Sequence, residues 1–324
     1  MAIRLEVTPK ITTNFKSRHI LSLDQFTPVS LRKLFETTDR IIKLLKRKSP
    51  LEILKRSVIT LLFFEPSTRT FGSFSSAIKR LGGQTIDLLD PEKTTSFVKG
   101  ESLKDTMQVL GTYSDIIIIR HPEKGFVQKA AAVSPVPVIS GGEGAGEHPT
   151  QALYDTFTLY QKFGKLSHLK GLVLGDALYS RSIHSFIKAL SLFPKDVIYL
   201  FSPPGLEISY DFERKLHGKI KLVRITRENE IPEDCNFWYT NRIQKERFKS
   251  RSVYEKALKD FPVITPELLA KKGNRDMIIL DPLPRVGNID IRVDSDPRSL
   301  YLTKQLENGV YIRMALVSLI LGKI

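Results

Sequence analysis

Ser67-Thr68-Arg69-Thr70 places two hydroxyls, a guanidinium and a third hydroxyl in four consecutive positions. Hydroxyls and a forked guanidinium are donors shaped for phosphate. Three other stretches carry donors of the same kind. They are Arg120-His121-Pro122, His148-Pro149-Thr150-Gln151 and Thr240-Asn241-Arg242-Ile243-Gln244. A fourth, Gly175 to Arg181, ends in an arginine, and Asp281-Pro282-Leu283-Pro284-Arg285 forms a proline-rich turn. The chemistry such groups perform is the holding of anions and the stabilisation of developing negative charge. Each also has a structural reading. A lone Ser-Thr pair more often caps a helix, a lone histidine more often packs, and a basic run is usually a solvated face.

Placement decides between these readings. Val58 to Phe64 is an apolar run rich in β-formers and suits a buried strand. Pro66 ends it, and Ser67 and Thr68 are good helix-capping residues. Phe71, Phe74, Ala77, Ile78 and Leu81 then recur at helical spacing, with Gly82-Gly83 as the stop. Ser67 to Thr70 therefore stand where a helix begins. Its unpaired N–H groups and the positive end of its dipole attract anions.

The same alternation runs along the chain. Thr27 and Pro28 open a helix whose apolar face includes Leu31, Leu34, Phe35 and Ile41. Strands are predicted at 85–89, 115–119 and 136–139, with helices from Ser102 and over 125–133 and 150–163. Residues 90–101 read as a polar loop and 141–149 as a glycine-rich one. Beyond Gly164 a second series begins. It has strands at 172–174, 197–201, 220–224, 237–240 and 277–280, and helices at 182–192, 207–216, from Thr265, and 309–321. Alternation of this kind gives parallel sheets. The expected fold is α/β: two doubly wound parallel-sheet domains, 1–163 and 164–308, with the helix of about 309–324 packing back on the first. Ligands in such sheets sit at the carboxyl ends of strands. The candidate residues fall there, so the active site is expected in the cleft between the domains.

At 324 residues the chain is long enough for two such cores. Its 41% hydrophobic and 26% charged content is ordinary for a soluble globular protein. The lone cysteine, Cys235, excludes an internal disulfide and reads as a core thiol beside Phe237 and Trp238. No secretory segment or membrane-length apolar run is present, so a cytoplasmic protein is expected. The net charge of +15 fits either a basic nucleic-acid or membrane face or a lysine-rich surface around sites for small anions. Zinc-finger spacing, an aromatic ribonucleoprotein motif and basic-zipper heptads are all missing. Gly142-x-Gly144 begins like a dinucleotide fingerprint, but Glu147 stands where the third glycine belongs, and no Walker motif occurs.

Phe64-Glu65-Pro66-Ser67-Thr68-Arg69-Thr70 resembles the carbamoyl-phosphate motif of the aspartate and ornithine carbamoyltransferases. Arg120-His121-Pro122 and His148-Pro149-Thr150-Gln151 match the same family in the same order. Thr240 to Phe248 and the Pro-Leu-Pro-Arg turn at 282–285 resemble its aspartate branch. The likeness runs from about residue 18 to the end. It implies transfer of a carbamoyl group from carbamoyl phosphate to the amine of L-aspartate, a step of pyrimidine synthesis, with no metal or organic cofactor. It also implies roles. Ser67, Thr68, Arg69 and Thr70 would hold phosphate. Thr70, Arg120 and His148 would surround the carbonyl oxygen, and Gln151 would orient the carbamoyl amide. Ser96 and Lys99 would also contact carbamoyl phosphate, and Lys99, Arg181, Arg242, Gln244, Pro282 and Leu283 would bind aspartate. Ser96 and Lys99 match residues that relatives insert into a neighbouring subunit's site, which implies a homotrimer with shared sites. Three departures stand out. Phe71 replaces a frequent arginine, the turn before Arg181 lacks the usual Leu-Lys and Gly, and Asp281 replaces a histidine. The last would add a carboxylate near an anion site, unless it points away or is paired, with a nearby arginine such as Arg285 the partner in that case. A catalytically weakened or inactive relative and a basic nucleic-acid-binding protein are the alternative readings.

Overall fold

The computed structural model describes residues 9–47, 50–94, 99–144, 146–216, 220–243, 248, 250–258 and 261–324. Ser96 and Gln244 lie outside the described residues. The chain divides into two compact units. One comprises Met1–Tyr154 and Asn308–Ile324, the other Asp155–Glu307.

In the first unit the elements run α1 (Pro28–Leu45), β1 (Val58–Phe63), α2 (Thr68–Arg80), β2 (Gln84–Leu89), α3 (Pro91–Thr94), α4 (Leu103–Tyr113), β3 (Ile116–His121), α5 (Phe126–Val133) and β4 (Val138–Glu143). Helix α6 (Pro149–Phe163) carries the chain across the division. The sheet is parallel, in the order β2-β1-β3-β4. β1 and β3 lie at its centre and are buried on both faces, which is why they read as unbroken apolar runs. Leu62, Ile117, Ile119 and Val138 form a core with Met107 and Leu110 of α4 and Val127 and Ala130 of α5. The free edge of β4 is covered by Ile20, whose N–H donates to Val138 O (2.8 Å) and whose carbonyl accepts from Ser140 N (2.8 Å).

The second unit continues with β5 (Lys170–Leu174), α7 (Arg181–Leu190), β6 (Val197–Phe201), α8 (Tyr210–Leu216), β7 (Lys221–Ile225), β8 (Phe237–Thr240), α9 (Arg251–Leu258), α10 (Pro266–Lys272) and β9 (Ile278–Leu280). Its sheet is also parallel, in the order β7-β6-β5-β8-β9. Trp238, Leu172, Leu174 and Ile279 share its core with Ile264, Leu268 and Cys235. Burial pushes the Cys235 thiol up to about 12, which fits a packed, unreactive side chain. Helix α11 (Lys304–Ile320) closes the chain and returns it to the first unit. No helix among the described residues is long and apolar enough to cross a membrane.

Several boundaries differ from the sequence reading. Gly141-Gly142-Glu143 is not loop but the end of β4, because the ladder with β3 continues past a bulge to pair His121 with Glu143. Pro91–Thr94 forms a short helix inside the expected polar loop. Helix α9 has no counterpart in the reading, and α11 starts five residues earlier than its apolar periodicity suggests.

Candidate active site

Strand order in each sheet reverses at one point, and crevices form at such points beyond the carboxyl ends of the strands. In the first unit the point lies between β1 and β3, and in the second between β5 and β8. Ser67 to Thr70 follow β1, Arg120 is the penultimate residue of β3, the turn to Arg181 follows β5, and Arg242 follows β8.

The start of α2 is set by β1. Phe64 N–H donates to Arg120 O (2.9 Å), extending the ladder one residue before Pro66 turns the chain. Phe71 packs edge-on against Phe63, with ring centroids 5.6 Å apart, and seats the helix over its strand. Ser67 occupies the N-cap with φ −156° and ψ 86°, and its hydroxyl makes no capping hydrogen bond. The donors of the first turn are therefore not taken up by that side chain. Thr68 and Arg69 are exposed, and Thr70 is buried.

Thr70 Oγ1 lies 3.3 Å from His148 Nε2, in a contact between α2 and the residue preceding α6. Arg120 is only 9% exposed. Its guanidinium donates to Gly141 O (3.2 Å) and pairs with Glu65 (Nη2 to Oε1, 2.6 Å). Gly142 explains how Arg120 and His148 come together. A Cβ there would lie 3.3 Å from both Arg120 Nη1 and the His148 ring, and φ is +103°. Glycine supplies both the space and the backbone. Gln151 is buried in the first turn of α6, and its N–H donates to His148 O (3.1 Å). Lys99 is exposed.

Neighbouring groups are structural. His121 stacks on Phe126 (3.6 Å, 2° between planes), and its Nδ1 accepts from Glu123 N–H (2.9 Å). Burial holds its pKa below the ordinary imidazole value, so the ring is neutral. Glu147 accepts from Ser22 Oγ (2.9 Å) and Leu23 N–H (2.7 Å), anchoring the loop before His148.

In the second unit, Gly175 takes φ +140°, and a Cβ there would lie 2.5 Å from Asn241 O. This close approach brings the ends of β5 and β8 together. Asn241 Nδ2 donates to Ser180 Oγ, which also caps α7 by accepting from Ile183 N–H (3.2 Å). The segments bearing Arg181 and Arg242 are thus joined one residue from each arginine. Both arginines are partly exposed. Asp281 is paired, but not with Arg285. It is 1% exposed and accepts from Asn288 Nδ2 (2.6 Å) and from Leu283 N–H. Arg285 pairs instead with Asp294 and reaches Tyr301 Oη (3.4 Å). Asp281 holds the turn in which Pro282 is buried and Leu283 takes φ 57° before a cis bond to Pro284.

Two family models cover the chain. Residues 18–161 match the aspartate/ornithine carbamoyltransferase carbamoyl-P binding domain, and residues 167–320 match the Asp/Orn binding domain. The chain belongs to the aspartate/ornithine carbamoyltransferase family. It is 39% identical over 312 residues to an aspartate carbamoyltransferase catalytic subunit of Hyperthermus butylicus, covering 96% of this chain and 98% of that one. It is 40% identical over 306 residues to a multifunctional protein of Dictyostelium discoideum, of whose length it spans 14%. Among solved structures, Trypanosoma cruzi aspartate transcarbamoylase in complex with carbamoyl phosphate and aspartate matches with TM-score 0.88 and 31% identity, over 97% of this chain and all of that one.

As a carbamoyltransferase the chain has site features that sequence reasoning did not single out. Glu65, Gly142, Asn241 and Asn288 act through contacts with residues far away in sequence, which no local pattern signals. Glu65 and Asn241 carried one clue, since each lies within a recognised motif, and Gly142 stood in the glycine-rich stretch, but their contacts were not legible.

Proposed function

We propose that this chain transfers the carbamoyl group of carbamoyl phosphate to the α-amine of L-aspartate, giving N-carbamoyl-L-aspartate and phosphate. The observation that carries the reading is the meeting of Thr70 and His148 at 3.3 Å, beside a buried Arg120, where an anion-attracting helix starts. Family membership supports the same reaction, as do relatives named for it.

Ser67, Thr68, Arg69 and Thr70 hold the phosphate through the first turn of α2. Thr70, Arg120 and His148 donate toward the carbonyl oxygen, where charge grows as the amine attacks. Gln151 orients the carbamoyl amide. Arg181, Arg242 and Gln244, with the Pro282-Leu283 turn, bind the aspartate carboxylates. The nitrogen–carbon bond forms, the carbon–oxygen bond to phosphate breaks, and the departing phosphate accepts the amine proton. Positioning the two anions and stabilising the oxyanion supply the catalysis. The assembly we propose is a cytoplasmic homotrimer in which Ser96 and Lys99 enter a neighbour's site, and the reaction serves pyrimidine synthesis.

The purified protein is assayed with carbamoyl phosphate and, in parallel, aspartate, ornithine or no acceptor. Phosphate release that depends on aspartate alone is expected. Release that depends on ornithine, or on neither acceptor, overturns the reading.

A further inference from the structure

We propose that Arg313, on α11, is a positioning residue for the carbamoyl-phosphate site, fixing the start of α2 against the start of α6. The inference rests on the assignment of Ser67 to Thr70 and His148 to that site. Arg313 is 3% exposed. Its guanidinium donates to Ser73 Oγ of α2 (Nη1, 2.9 Å) and to Thr150 Oγ1 of α6 (Nη2, 3.2 Å). Ser73 lies three residues beyond Thr70, about one turn along the same helix. Thr150 stands between His148 and Gln151. One planar, always-charged group thus bridges the helix carrying the phosphate donors and the helix that begins directly after His148. Thr70 Oγ1 and His148 Nε2, 3.3 Å apart, link the same two segments. The geometry of that contact is what Arg313 sets.

The surroundings are shaped for the guanidinium. It lies between the rings of Phe74 (4.9 Å to centroid) and Tyr154 (5.2 Å). Phe74 belongs to α2 and Tyr154 to α6, so the stacking repeats the bridge made by the hydrogen bonds. Nη1 also donates to Gly309 O, one turn earlier on α11 (3.0 Å). A Cβ on Gly309 would lie 3.0 Å from Nη1 and 3.4 Å from Tyr154. Glycine at 309 therefore leaves room for the side chain to lie along its own helix.

Four full-length variants test this: Arg313→Lys, Gly309→Ala, the pair Ser73→Ala with Thr150→Val, and that pair combined with Arg313→Lys. Steady-state kinetics give kcat and both KM values, and calorimetry gives affinity for inorganic phosphate. Arg313→Lys keeps the charge but not the fork. It is expected to lower kcat/KM for carbamoyl phosphate about 10–100-fold and to weaken phosphate binding, while KM for aspartate moves less than about threefold. The Ser73/Thr150 pair should lower the same parameter about tenfold in the wild-type background and have little further effect beside Arg313→Lys, since both act through one group. Gly309→Ala, which displaces the guanidinium without removing it, should follow Arg313→Lys. Folded variants with unchanged kcat/KM for carbamoyl phosphate, equal rises in both KM values, or losses that multiply across the two backgrounds overturn the proposal. If Arg313→Lys does not fold, the Ser73/Thr150 pair and Gly309→Ala decide it alone. A wild-type protein that neither binds phosphate nor turns over overturns the site assignment and this proposal with it. An active wild type with unaffected variants overturns this proposal only.

Discussion

His148 is buried, its Nε2 faces Thr70 Oγ1, and its ring packs where Gly142 leaves space beside Arg120. A group placed to donate to a developing oxyanion matters more to the transition state than to the bound substrate. His148→Ala is therefore expected to lower kcat about 10²–10³-fold with a smaller change in carbamoyl-phosphate affinity. An intact kcat with a raised KM for aspartate would remove it from the oxyanion site. Asp281 shows how a contact changes an expectation. A carboxylate in place of a histidine reads from sequence as a repulsive charge facing the substrate. In the fold it accepts from Asn288 Nδ2 and Leu283 N–H, and its own N–H donates to Gln305 Oε1 (3.0 Å). Asn288 Nδ2 also donates to Thr240 Oγ1 (3.2 Å), so Asp281 belongs to a brace across the ends of β8 and β9. Losing a buried hydrogen bond to a charged group costs about 1.5–3 kcal/mol. Asp281→Ala should lower the melting temperature by several degrees. A gain in aspartate affinity with unchanged stability would restore the repulsive-charge reading.

At the scale of elements, most strands and helices were legible because central parallel strands are unbroken apolar runs and surface helices keep their period. Thr27, Pro28 and Ser30 begin α1 as their types predict, with Thr27 Oγ1 accepting from Ser30 N–H (3.1 Å). Where the reading fell short, long-range pairing overrode local preference. Gly141 and Gly142 are poor strand formers, yet β3 recruits them into β4. The contiguous site motifs were legible for the same reason as the strands they terminate. The partners Glu65 and Asn288 were not, since each is defined by what it touches. Asp196, just before β6, accepts from Leu169 N–H (2.8 Å) ahead of β5 and is 1% exposed. Burial raises its pKa from 3.8 to about 7. The folded state thus binds more protons than the unfolded state between about pH 4 and 7. This contribution to stability is fully present below about pH 4 and is lost as pH rises through about 7. Asp196→Asn should flatten that part of the pH–stability curve and stabilise the protein at pH 8 by up to about 4 kcal/mol. Parallel wild-type and variant curves in urea unfolding at pH 4.5 and 8 would contradict it.

At the scale of the whole molecule, both units carry their donors at the carboxyl ends of strands flanking a reversal of strand order. The trimer proposed above would bring Lys99, an exposed residue, into a neighbour's site. Closed cyclic symmetry makes such a head-to-tail contribution self-consistent. Arg69→Ala and Lys99→Ala proteins should each be nearly inactive. Unfolded and refolded together, they should regain part of the wild-type rate, because some sites then pair an intact Arg69 with an intact Lys99. A reassembled mixture that stays inactive, or a monomer with full activity, would sink the shared-site arrangement. The central claim, that carbamoyl phosphate reacts at the start of α2, is tested most directly by following ¹³C-labelled carbamoyl phosphate and aspartate by NMR with wild-type protein and with Arg69→Ala. N-carbamoyl-L-aspartate should accumulate with the wild type. Its rate should fall by at least about 10²–10³-fold when the phosphate loses this guanidinium. Product formation by Arg69→Ala at close to the wild-type rate would contradict the account.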